Sequence, residues 1–248
     1  MIFGRKKKTE PDSSQDEDVS EVVQEDAEDA DEAEDAVDDE TEDGDLDEDE
    51  AVTDEWALFD VSQDWREDGP FDIDEVDLSA DEVQRIDLGA VIITPETGMN
   101  VKLLASPQTN QILHLTVEHG PQSRLQMTVF AAPQTGDYCA EIREMLIAQT
   151  PNAKVVTLAK GPFGTELRRV VTATDEKGRE GFAPLRDWLV AGPRWVLNAR
   201  LIGQAALHAE GGEAAEQFEE FVRNTIVRRG DQAMVPGSVV PLSASDKK

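Results

Sequence analysis

The chain has 248 residues and a formal net charge of −31, concentrated at one end. Glu10 to Glu55 holds 26 acidic residues and no Lys or Arg, whereas Val83 to Lys248 balances 18 acidic against 18 basic residues. The single cysteine, Cys139, excludes an internal disulfide and a cysteine-based zinc site. No apolar run reaches the length of a signal peptide or a membrane span, so a cytoplasmic location is expected.

Residues 1–55 are expected to be a disordered acidic tail. Between Thr9 and Thr53 the only apolar residues are Ala, Val and one Leu, too little surface to offset chain entropy, and like charges expand the segment further. The basic cluster Arg5 to Lys8 reads as a solvated terminus. Residues 56–82 form an acidic-aromatic segment in which Trp56, Leu58, Phe59, Trp65, Phe71 and Ile73 sit among acids. It reads either as packing along the outside of the domain or as a motif that docks into a partner and folds on binding.

A single domain is expected over residues 83–230. Ala90 to Ile93 reads as a strand, followed by a turn at Pro95 and Gly98. Met99, Val101 and Leu103 then alternate with polar residues, as do Leu113, Leu115 and Val117, and Leu125, Met127 and Val129. These runs predict a meander of about four strands, with a hairpin turn at Gly120-Pro121. The period changes over Thr135 to Gln149, where Tyr138, Ile142, Met145 and Leu146 share a helical stripe; Thr135 or Asp137 is the expected cap and Pro151 the stop. Strands follow at Ala153 to Ala159, Thr165 to Thr174 and Pro184 to Ala191, with turns at "KGPFG" and "DEKGREG". After Gly192-Pro193 the stretch from Arg194 onward places Trp195, Leu197, Ala199 and Leu201 on an apolar face, opposite Arg194, Val196, Asn198 and Arg200. Glu213 to Ile226 is an amphipathic helix, and residues 231–248 are an extended tail. The order implies an α+β fold, a mostly antiparallel sheet of about seven or eight strands with two packed helices. That element order is loosely similar to the Mog1/PsbP-like layer architecture.

Six ordered phrases carry a more specific resemblance: "GPFD" at Gly69, "DLGA" at Asp87, "FAAPQTG" at Phe130, "GPFGTEL" at Gly161, "GPRWVLNARLIGQAA" at Gly192 and "VRRGDQAMVPGSVVPL" at Val227. Together they resemble an actinobacterial domain-of-unknown-function family with an acidic N-terminal tail and a Gly-Pro-Arg-Trp segment. The resemblance implies a bacterial cytoplasmic protein and no assigned activity. Family members often carry Arg where this chain has Asn198.

No nucleophile motif, phosphate loop or dinucleotide fingerprint is present. His114, His119 and His208 lack the spacing of a helical zinc motif, Cys139 reads as core, and Glu166 reads as a lone acid. No catalytic residue, cofactor or metal site is therefore expected. The possible binding surface is the arginine-rich half of the sheet: Arg194, Trp195, Asn198, Arg200, Arg168 and Arg186, the bland alternative being solvated edges paired with Glu166 and Asp187. The reading these features favour is a non-enzymatic binding or regulatory module for an unknown protein or acidic segment. The alternative is a nucleic-acid-associated protein autoinhibited by its tail as a phosphate mimic. An enzyme using Glu166 or His114 is least favoured.

Overall fold

The computed structural model describes the backbone of Gly4–Arg5 and residues 54–120, 122–136, 138–174, 178–207 and 212–243. Nearly all of the tail expected to be disordered lies outside the described residues. So do Pro121 of the expected hairpin turn, Asp137 of the expected cap, part of the "DEKGREG" loop, and His208.

In chain order the elements are β1 (Gly4–Arg5), α1 (Glu55–Asp60), β2 (Phe71–Asp72), a 3-10 turn (Ile73–Glu75), β3 (Val76–Asp77), β4 (Ile86–Asp87), β5 (Val91–Ile93), β6 (Met99–Ala105), β7 (Ile112–His119) and β8 (Ser123–Ala131). Then come α2 (Cys139–Ala148), β9 (Val155–Gly161), β10 (Gly164–Thr174), β11 (Glu180–Gly192), β12 (Trp195–Gly203), α3 (Gln204–Leu207), α4 (Glu213–Arg223) and β13 (Ile226–Val227). Seven strands form one antiparallel sheet in the order β6-β7-β8-β12-β11-β10-β9, and four short strands form a second in the order β2-β13-β5-β4. β1 pairs antiparallel with β3. The fold is α+β and mostly antiparallel.

Pairing partners share a face of a sheet. One face of the large sheet carries Leu115, Val117, Leu125, Met127, Val129, Trp188, Val190 and the β12 residues Trp195, Leu197, Ala199 and Leu201. It packs against Ala205 and Ala206 of α3, Phe218, Phe221 and Val222 of α4, and Val91, Ile93 and Val227 of the small sheet. The other face carries Phe130, Leu167, Leu189 and Val196 beneath Cys139, Ile142 and Leu146 of α2. The central strands are therefore buried on both sides.

Several expectations change in this context. The Ala90 to Ile93 strand does not open the meander; β5 pairs with β13 and β4 in the small sheet. α2 begins at Cys139 rather than Thr135, because Gly136 has φ +91, a left-handed conformation that no helix interior accepts. Its N-cap is Tyr138, with no side-chain cap. α4 ends at Arg223, and Ile226 enters β13, where strands on both sides supply the pairing a frayed last turn lacks. The domain edge expected at residue 83 falls inside the small sheet, whose first strand starts at Phe71.

The extended C-terminal segment also has a defined place. The pairing of β7 with β8 stops at Leu115 opposite Met127, leaving Val129 to Ala131 open. The chain from Gly237 enters that gap. Ala131 N–H donates to Ser238 O, Val240 N–H to Val129 O and Leu242 N–H to Ile112 O, each at 2.8 Å. Val240 and Leu242 are buried there.

Candidate functional site

The residues singled out in the sequence do not form one exposed surface. Trp195, Asn198 and Arg186 are buried: Trp195 and Arg186 lie on the face that carries Trp188 and Leu201, and Asn198 lies on the opposite face, which α2 covers at Val196. Arg194 is not in the strand at all; it occupies the turn before it with φ +63. Arg168, Arg186 and Arg200 are instead drawn into two carboxylate-centred clusters on opposite faces of the sheet.

The first cluster surrounds Glu166, which is fully buried. Arg168 and Arg186 lie directly opposite each other on β10 and β11, a like-charge pairing that destabilises a sheet unless an anion bridges it. Glu166 is that anion. Its Oε1 accepts from Arg168 Nε at 2.5 Å and from Arg186 Nε at 2.8 Å, and its Oε2 from Arg186 Nη2 at 2.7 Å and Trp188 Nε1 at 2.6 Å. The guanidinium of Arg186 also lies 5.8 Å from the Trp188 ring centre. Glu166 is therefore not a lone acid; its companions are Arg168, two residues along β10, and Arg186 and Trp188 of β11, twenty and twenty-two residues on.

The second cluster surrounds Asp187, equally buried and one residue along β11 from Arg186, hence on the opposite face. Its Oδ1 accepts from Arg200 Nε at 2.7 Å and Asn198 Nδ2 at 3.1 Å, and its Oδ2 from Arg169 Nη2 at 2.5 Å. Arg169 reaches further: its Nη1 donates to Leu146 O at 2.7 Å and Thr150 Oγ1 at 2.6 Å. A cation thus meets the carbonyl end of α2, where the helix dipole favours it, and fastens that helix to the sheet. Arg169 was not expected as a site residue, although the doublet Arg168-Arg169 in a strand requires one guanidinium on each face.

His114 lies beside the second cluster, its Nδ1 hydrogen-bonded to Thr128 Oγ1 at 2.7 Å. Burial, and then the positive charge of Arg200, push the imidazole pKa below its ordinary value near 6.5. The folded state thus prefers neutral His114, and the unfolded chain binds the proton more readily. The stability is complete above the unfolded value of about 6.5 and is lost as pH falls through the depressed folded value. In a His114→Gln variant the dependence of stability on pH in that window is expected to flatten, as measured by urea unfolding at a series of pH values.

The acidic-aromatic segment is tied to the domain by two further carboxylates. Asp60 accepts from Arg143 Nη2 and from Thr165 N–H, both at 2.6 Å, joining α1 to α2 and β10. Asp72 accepts from the buried Trp195 Nε1 at 2.7 Å. The Trp195 indole lies so close to the preceding turn that a Cβ on Gly192 would sit 2.1 Å from its ring. A cleft of about 190 Å3 opens between this segment and β11, lined in part by Asp60, Asp64, Trp65, Arg66, Cys139 and Leu189. Its charges are engaged, Asp60 with Arg143 and Arg66 with Glu75. Among the described residues no cluster of three or more His, Cys, Asp or Glu is placed to hold a metal, and no helix is long and apolar enough to cross a membrane.

A family model described as "Protein of unknown function (DUF3710)" matches residues 69–248, which takes in both sheets and both carboxylate clusters. The chain belongs to that family. The match begins at Gly69, two residues before β2, so the DUF3710 region includes the Asp72 contact to Trp195. Among solved structures, cyanobacterial PsbP (CyanoP) from Synechocystis sp. PCC 6803 is similar at 7% identity with a TM-score of 0.32, covering 58% of this chain and 91% of its own. A comparison with curated proteins found no match.

Proposed function

We propose that the domain is a non-enzymatic binding module whose contact element is the outer strand β9. The observation that carries this reading is that β9 ends the seven-strand order and exposes apolar side chains on both of its faces. Val155 and Val156 are 46% and 41% exposed, and Phe182, near the start of β11, is 70% exposed. On one face Val155 lies opposite Val170 and Val170 opposite Pro184, so the apolar surface runs from the strand edge towards Phe182. An outer strand presents a row of backbone donors and acceptors, and a long, β-branched one is a template for another strand. Exposed Lys154 and Lys160 stand at the two ends of this stretch. The fitting occupant is an extended segment of a partner protein, apolar at its centre and acidic at its flanks.

The clusters support the same reading. Glu166, the acid the enzyme reading names, and Asp187, the acid of the second cluster, already accept from arginine, indole and amide donors inside the sheet. Neither can take a substrate proton without releasing a buried guanidinium.

The test compares proteins retained from lysate by the full chain and by a Val155→Glu/Phe182→Glu variant. The expected result is a retained protein lost by at least about tenfold from the variant, with unchanged thermal unfolding. An identical retained set would overturn the reading. A wild-type dimer that the same variant dissociates, seen by sedimentation, would overturn the assignment to a different protein and give the edge to a second copy.

A further inference from the structure

Four arginines of the domain are buried: Arg143, Arg169, Arg186 and Arg229. Three of them answer a carboxylate, namely Asp60, Asp187 and Glu166. Arg229 does not. It is only 8% exposed, yet its Nε and Nη1 are buried without a hydrogen-bond partner, and among the described residues it joins no ion pair. Its neighbour Arg228 shows what the position permits, with Nη1 donating to Asp87 Oδ2 at 2.8 Å and Oδ1 at 3.0 Å. Buried polar groups are paired almost without exception, and a buried charge left unpaired is costly, so an orphaned guanidinium calls for a partner.

A second cation adds to the anomaly. Arg194, on the turn between β11 and β12, donates from Nη2 to Gly230 O at 2.9 Å, which places its guanidinium beside the residue following Arg229. Its nearest carboxylate, Asp231, is 3.9 Å away and fully solvent-exposed, too weak a contact to neutralise it. Arg194 also holds φ +63, a conformation that non-glycine residues seldom adopt and that persists where the surroundings dictate it. Here Ala132 N–H donates to Arg194 O at 2.9 Å, pinning the turn in that form. Burial, and then the like charge of Arg194, push the pKa of Arg229 below its usual range, so the two cations oppose each other with no carboxylate of the described residues between them.

We propose that Arg194 and Arg229 form a site for a tetrahedral oxyanion, a free phosphate or the phosphate group of a small monoester. Two guanidiniums offer two positive charges and several N–H donors, which match a phosphate dianion in both charge and oxygen count; a single carboxylate neutralises only one of them. The ligand reaches the site from the side of Gly230 and Asp231, both exposed. The site joins two segments distant in sequence, the Gly192-Pro193-Arg194-Trp195 turn and the stretch Arg228-Arg229-Gly230-Asp231. It is independent of the β9 edge.

The experiment uses the full chain and two probes, inorganic phosphate and monomethyl phosphate, followed by calorimetric titration and by thermal unfolding, with sodium chloride at matched ionic strength as the control. The expected result is saturable binding of at least one probe and a rise in unfolding temperature that chloride does not reproduce. Arg194→Gln, at an exposed side chain that holds no core contact, is expected to weaken binding by at least about tenfold. Arg229→Met is expected to abolish it while leaving the ligand-free protein as stable as wild type or more so, since the substitution removes an unpaired buried charge. Tighter binding of the ester assigns the site to a phosphorylated metabolite, and tighter binding of inorganic phosphate to the free ion. A response equal to that of chloride, or one that survives both substitutions, overturns the proposal.

Discussion

Glu166→Ala is expected to destabilise the domain by about 3–5 kcal/mol, the usual cost of removing one partner from a buried ion pair. The substitution removes the Glu166 acceptor from the buried Arg186 guanidinium and the Trp188 indole N–H, and takes away the carboxylate that lies between the opposed Arg168 and Arg186 on β10 and β11. In a domain of this size each kcal/mol lowers the unfolding temperature by about 2–4 °C, so a drop on the order of 10 °C follows. Urea unfolding of wild type and variant measures the difference directly. Replacing Glu166, Arg168 and Arg186 together with apolar residues of similar volume is expected to recover most of the loss, because the penalty arises from the uncompensated charge. A loss below about 1 kcal/mol for the single substitution would show that water reaches the cluster and that Glu166 does not hold the strands together.

Removing the chain after Pro236 is expected to be at least as damaging. Val240 and Leu242 are buried in the gap between β7 and β8, and each such side chain contributes about 1.5–3 kcal/mol. The segment also satisfies Ala131 N–H and the carbonyls of Val129 and Ile112, which are otherwise left at an open split in the sheet. Against a typical total of about 5–15 kcal/mol, the truncated protein is expected to lose cooperative unfolding or to melt well below the full chain. Leu242→Ala isolates the packing part, at about 2–4 kcal/mol. Native-state hydrogen exchange supplies the local reading: protection at Ala131 and at Ile112 to Leu115 is expected to fall first. A truncated protein with wild-type protection at those amides would place the segment outside the cooperative unit.

The strands and the two long helices were legible because their periods are local properties. Leu115 and Val117 alternate with His114 and Thr116, and the same two-residue period runs through Leu125 to Val129 and Trp195 to Leu201, so the core-facing set of each strand can be read without knowing its neighbours. In α4 the buried Ala215, Phe218, Phe221 and Val222 recur at helical spacing. The second face was not legible. Val196 and Asn198 sit at positions that alternation hands to solvent, yet both are buried, Val196 in the cluster beneath α2 and Asn198 against Asp187.

The arginines divide along the same line. Apart from Arg194, which the turn holds, their place in strands was visible, and Glu166 and Asp187 were visible as acids within reach. Which arginine meets which acid depends on register. Arg186 and Asp187 are neighbours on β11 and face opposite ways, so a slip of one residue would exchange the two clusters. Arg229 left no local signal at all, because what marks it is the lack of a partner in space. The sequence by itself determined where strands and helices can form and which side of each is apolar, since side-chain period and chain entropy act over a few residues. Tertiary structure alone decided which sheet each strand joined, how the C-terminal segment closed the gap, and which charges were neutralised, because strand pairing joins residues up to 155 apart and ion pairs up to 141 apart.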